Sequence, residues 1–144
     1  MSSYFLDTSA LVKRYHIEQG TAKVKPLFDD AENTLYISEL ALVESASAFQ
    51  RRKNRGEMST QAMSNALEKF DGDAINYLVV IGISRDLIER AKSLVLQHGL
   101  RTLDALQLAA ALSLKPRVPV FVSADANLLS AAQANGLESL NPLE

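Results

Sequence analysis

The chain has 144 residues, within the roughly 100–200 residues of one domain, and its 47% hydrophobic and 22% charged residues are ordinary for a globular protein. The absence of cysteine excludes disulfides and thiolate metal sites, so any metal must be held by oxygen or by His16 and His98. A net charge of -2 argues against a nucleic-acid partner, but if four of the 17 acids gathered around metal ions the rest would be 13 acids against 15 bases.

The longest apolar run falls short of the ~20 residues a bilayer needs, and no positively charged start leads into an apolar region, so a cytoplasmic protein with no membrane partner is expected. Along the chain, YFL at 4–6, LYIS at 35–38, INYLVV at 75–80 and VPVFVS at 118–123 read as strands, with LESL at 137–140 a weaker fifth. Helical patterns lie between them. One opens at Ser38 and closes before Gly56, STQAMSNALEKF makes the next, and a third runs from Ser84 to Gly99. TLDALQLAAALSL and ADANLLSAAQANG supply two more, the last followed by Gly136. In GTAKVKPLFDDAE, Pro26 interrupts a helix interior unless it lies near a start or kink, which leaves that boundary open. The alternation predicts an α/β fold, a parallel β-sheet flanked by helices on both sides, as one domain over residues 1–144.

Four acids stand at structured positions. Ligands of an open parallel sheet bind beyond the carboxyl ends of its strands. Asp7 and Asp125 each follow a strand and would share one rim if those strands were neighbours. Asp104 is the only charge between Arg101 and Lys115 on a helix apolar nearly all round. Glu44 has Leu40, Ala41, Ser47 and Ala48 one turn away and no cation among them. Taken singly, an Asp before a helix is most often a cap and a mid-helix Glu usually faces water. Four acids at one rim would repel each other unless cations neutralised them, and an oxygen-only cluster favours Mg²⁺ or Mn²⁺.

DTSALVKRY with Asp7, VESASAFQRR with Glu44, LDALQLAAAL with Asp104 and FVSADANLL with Asp125 resemble, in order and spacing, the PIN-domain ribonucleases, and most closely the VapC toxins of bacterial and archaeal toxin-antitoxin pairs. The resemblance runs nearly the whole chain. It implies a parallel sheet, an acidic pocket of Asp7, Glu44, Asp104 and Asp125 holding Mg²⁺ or Mn²⁺, cleavage of RNA, a homodimer, and a VapB-like antitoxin whose tail occupies the pocket. Asp7 would then be a metal ligand at the end of the first strand. Thr8 and Ser9 would begin the next helix with hydroxyls facing the site, and Thr8 would orient the Asp7 carboxylate. Ser123 and Asn127, flanking Asp125, would support the ligands or act as caps.

Among the bases, Lys13 and Arg14 lie nearest the expected rim and are the better candidates to grip RNA. Arg51 belongs to the dense run with Arg52, Lys53 and Arg55, which equally suits a solvated helix C-terminus. His16 and His98 have no ligand spacing and read as structural or surface residues. A phospho-acceptor domain fits poorly, because Thr8 rather than a second acid follows Asp7. A haloacid-dehalogenase-type phosphatase would need an acid where Ser9 stands. A housekeeping PIN-domain RNA-processing nuclease and a catalytically weak binding domain of the same fold stay open.

Overall fold

The computed structural model describes residues 2–144. Met1, the first residue of the expected 1–144 domain, lies outside the described residues. Five strands, β1 (Ser3–Leu6), β2 (Thr34–Ser38), β3 (Val79–Ile81), β4 (Val120–Val122) and β5 (Glu138–Leu140), form one sheet in the order β3-β2-β1-β4-β5. Every adjacent pair is parallel, as expected. The helices are α1 (Thr8–Leu11), which runs into a 3-10 turn (Val12–Arg14), α2 (Thr21–Asp29), α3 (Ala41–Asn54), α4 (Thr60–Asn76), α5 (Arg85–His98), α6 (Thr102–Leu112) and α7 (Ala126–Ala134).

Successive strand residues point to opposite faces, so the central strands feed two cores. Phe5 and Phe121 stack at 5.8 Å and pack with Leu94 of α5, Leu108 of α6 and Leu128 of α7. Their neighbours Leu6 and Val122 turn the other way, against Leu11, Val24, Leu35, Ile37 and Phe70. Both faces are covered, which is why the strands are near-continuous apolar runs. A third cluster of Val12, Phe49 and Ala66 ties α3 to α4.

Three boundaries differ from expectation. The strand expected at 75–80 begins only at Val79, because α4 runs on through Asn76. That extra turn brings Asp73 to the Tyr15 hydroxyl at 2.7 Å, and the Asp73 carbonyl accepts from the N–H groups of Tyr77 and Leu78. Ser38 does not open α3. It ends β2, its Oγ accepts from Leu40 N, and the helix starts at Ala41, which moves Glu44 from mid-helix into the first turn. Pro119 has no N–H for the ladder, so β4 is shorter than the 118–123 segment. Pro26 lies inside α2, and the open boundary resolves to Thr21–Asp29.

The strand order places the fold's switch point between β1 and β4, where the chain leaves one half of the sheet for the other. Leu6 pairs with Val122, and Asp7 N donates to Val122 O at 3.1 Å. Asp7 therefore emerges beside Ser123, two residues before Asp125.

Candidate active site

Asp7, Glu44, Asp104 and Asp125 line one cleft of about 850 Å³ at this edge of the sheet. All four sit at helix N-termini. Asp7 caps α1, Glu44 and Asp104 lie in the first turns of α3 and α6, and Asp125 caps α7. The unpaired N–H groups and dipole at a helix start favour negative charge, so the fold tolerates these acids gathered in one place.

Asp7 is the most constrained. Its side chain is buried, with Oδ1 accepting from Ser9 Oγ at 2.7 Å and Ala10 N at 3.0 Å, and Oδ2 accepting from Ser123 Oγ at 2.7 Å. Burial pushes its carboxyl up to about 6; the hydrogen bonds oppose that rise and the charge of Asp104 adds to it. Ser123, which flanks Asp125 in sequence, thus bonds the Asp7 carboxylate. Thr8 is a correction: its hydroxyl donates to Glu44 Oε1 at 3.0 Å, and Ser9 instead orients Asp7. Residue alternation along the first helical turn decides this, since Thr8 turns towards α3 and Ser9 back over β4, where its Oγ also accepts from Ala124 N.

Asp104 is half-buried, and burial raises its carboxyl above the usual value while Arg101 opposes the rise and Asp125 reinforces it. Arg101 reaches between these two acids, with Nε 3.4 Å from Asp104 Oδ2 and Nη2 3.7 Å from Asp125 Oδ2. Its side chain is 83% exposed, so this guanidinium is a loosely held counter-ion at the mouth of the cleft. Asp125 Oδ1 accepts from Asn127 N and Leu128 N. Asn127 joins through its backbone only; its residue is exposed and outside the cleft lining.

The basic residues divide. Lys13 is buried in the cleft wall and pairs with Glu18 at 2.9 Å. Arg52 grips the same Glu18 through Nε at 2.7 Å and Nη2 at 3.0 Å, and its Nη1 donates to Ala48 O. Burial would raise the Glu18 carboxyl, but the Arg52 and Lys13 bonds hold it below its ordinary value. Gly20, with φ +96°, passes so close to Lys13 that a Cβ there would lie 2.9 Å from Lys13 Cδ. Arg51 lines the cleft and donates to Ser47 Oγ at 2.8 Å. Arg14 is elsewhere: its guanidinium lies 5.3 Å from the Phe28 ring centre and it does not line the cleft. His98 meets Asn135, and neither histidine lines the cleft.

The sequence reading missed Gln107, Arg101 and Glu18, and it placed Arg52 only within the basic run, not as a partner of Glu18. Gln107 stands one turn beyond Asp104, a spacing that places it on the same helix face, and that signal was available. The Glu18 to Arg52 pair, 34 residues apart, carries no local signal.

The donors offered to a cation are all carboxylate oxygens, the type that hard divalent ions take. Among the described residues no three acidic or histidine side chains stand close enough to hold an ion as placed. Arg101 places a positive charge between Asp104 and Asp125, while burial, together with the charge of Asp104 on Asp7 and of Asp125 on Asp104, raises both carboxyls. By the chemistry of their donors, Asp7, Glu44, Asp104 and Asp125 are the residues that would hold a divalent cation in this cleft.

A family model described as the PIN domain matches residues 4–134, and the chain belongs to the PIN domain family. Its fold is similar to that of Mycobacterium tuberculosis VapC20, a sarcin-ricin loop cleaving toxin, at 19% identity and TM-score 0.68 over 89% of this chain and 94% of that one. Rickettsia felis VapBC2, solved with a promoter DNA fragment, matches at 19% identity and TM-score 0.63 over 96% and 98%. PAE2754 from Pyrobaculum aerophilum matches at 20% and 0.67 over 96% and 83%. No curated protein matches. Among the described residues no helix is long and apolar enough to cross a membrane.

Proposed function

We propose that this chain is a Mg²⁺- or Mn²⁺-dependent endoribonuclease, the toxin of a toxin-antitoxin pair. The observation that carries the reading is the gathering of four carboxylates from four helix N-termini at the switch point between β1 and β4. Family membership and the likeness to VapC toxin folds support it. Asp7, Glu44, Asp104 and Asp125 would hold the ion. A divalent ion supplies Lewis acidity, making water nucleophilic near neutral pH and neutralising charge on a phosphate.

The chain's own residues do the rest. Ser9, Ser123 and Ala10 N fix the Asp7 carboxylate, and Thr8 fixes Glu44. Lys13, Arg51 and Arg52 line the same cleft as the four acids and give it basic groups for the phosphates of a single strand, with Lys13 and Arg52 anchored on Glu18. Arg52 is held by its bonds to Glu18 and Ala48 O and shares its charge with Glu18, while Arg51 is exposed and, among the described residues, bonded only to Ser47 Oγ, so it is the better placed of the two to meet a phosphate. A histidine-based attack by the RNA 2′-hydroxyl lacks its acid and base here, because His16 and His98 lie outside the cleft. The partners of this reading are RNA, a VapB-like antitoxin and a second copy of the chain.

Mass spectrometry of a short RNA cut with and without chelator tests it. Products ending in 5′-phosphate and 3′-hydroxyl, lost on chelation, are expected. A 2′,3′-cyclic phosphate, or cutting that survives chelation, refutes it.

A further inference from the structure

Gln107 is 2% exposed, yet it carries an amide into the cleft. Its Nε2 donates to Glu44 Oε1 at 2.7 Å and lies 3.1 Å from Thr8 Oγ1, which itself donates to Glu44 Oε1. Two donors thus converge on one carboxylate oxygen, and Oε2 takes neither bond. The orientation of the amide follows from the chemistry: reversing it would set Gln107 Oε1 against Glu44 Oε1, two acceptors in contact. In the orientation present, Gln107 Oε1 is buried with no hydrogen-bond partner. A buried carbonyl without a donor costs stability, so this amide is poorly accounted for by packing alone.

We infer that Gln107 is a positioning residue that, together with Thr8, fixes Glu44 for cation binding, an inference that rests on the metal-site reading above. Glu44 reaches the cleft from α3, whose neighbouring residues Leu42 and Val43 are exposed. Without a tether its side chain is free to turn to water. An arginine or lysine tether would neutralise the charge that attracts a divalent ion. The neutral amide holds the carboxylate in place and leaves its charge intact, and Gln107 shares α6 with Asp104 one turn away, so one helix sets two of the four acids.

The test is Mn²⁺ titration by calorimetry, beside melting in chelator, for the wild type, Gln107→Met, Gln107→Asn, Glu44→Ala and the Gln107→Met/Glu44→Ala double variant. Methionine fills the same volume without the orphaned carbonyl; asparagine keeps the amide but withdraws it by one methylene. Both are expected to weaken Mn²⁺ binding about tenfold or more. The Met variant should melt no lower than the wild type. In the Glu44→Ala background Gln107→Met should cause no further loss, because its effect runs through Glu44. Wild-type affinity in both single variants, or a full additional loss in the double variant, overturns the positioning role while leaving the metal site standing. A wild type that binds no Mn²⁺ sinks the metal-site reading, and this inference with it.

Discussion

Replacing Asp7 with asparagine should stabilise the metal-free protein. Burial lifts the Asp7 carboxyl from 3.8 to about 6, and at about 1.4 kcal/mol per pKa unit the ionised form at pH 7 costs the fold roughly 3 kcal/mol. Asparagine removes the charge and keeps an oxygen for Ser9 Oγ and Ala10 N, since it caps helices as well as aspartate does. Ser123 Oγ can rotate to accept from the new amide, which retains most of the third bond. The expected gain is therefore about 1–3 kcal/mol, or roughly 3–10 °C in melting temperature for a chain of this size. The pH dependence has a definite sign. A carboxyl whose folded pKa exceeds its unfolded value binds more protons in the native state, so its cost is absent below 3.8, grows between 3.8 and about 6, and is complete above. The advantage of asparagine should accordingly shrink as pH falls from about 7 towards 4. Calorimetric melting in chelator across that range, with RNA cleavage measured in parallel, is the assay. An asparagine variant that melts several degrees below the wild type at pH 7, or an advantage that grows on acidification, would refute the reasoning; full nuclease activity would remove Asp7 from the site.

Phe121→Ala should cost about 3–5 kcal/mol in urea unfolding, since Phe121 is fully buried and stacked on Phe5 in the middle of the sheet. Arg101→Ala should change stability by less than about 1 kcal/mol by the same method, because its two ion pairs are long and its side chain is 83% exposed. Glu18→Gln tests the Lys13 and Arg52 anchor: the Glu18 carboxyl is held below its ordinary 4.5, so its contribution is present above that pH and lost as pH falls further. Melting curves of the Gln variant should therefore lie below the wild type near neutrality and converge with it under acid conditions.

Residues adjacent in sequence carried much of the outcome. Alternating apolar strands and capped helices determined the parallel α/β architecture, because period and punctuation are local properties of the chain. Asp7 and Asp125 were legible as rim residues for the same reason: each directly follows an apolar strand, and such strand ends form ligand sites in this class of sheet. Boundaries were less legible. Nothing within INYLVV says that Ile75 belongs to a helix; the decision rests on Asp73 meeting Tyr15, 58 residues away. The same holds inside the site. That Thr8 serves Glu44 while Ser9 serves Asp7, that Arg14 turns to Phe28 while Lys13 stays in the cleft wall, and that Gln107 reaches Glu44 across 63 residues are set only when α1, α3 and α6 pack around β1 and β4. A side chain's partner is fixed by distances of a few ångströms between elements far apart in the chain, and the sequence encodes those distances through the packing of both cores together.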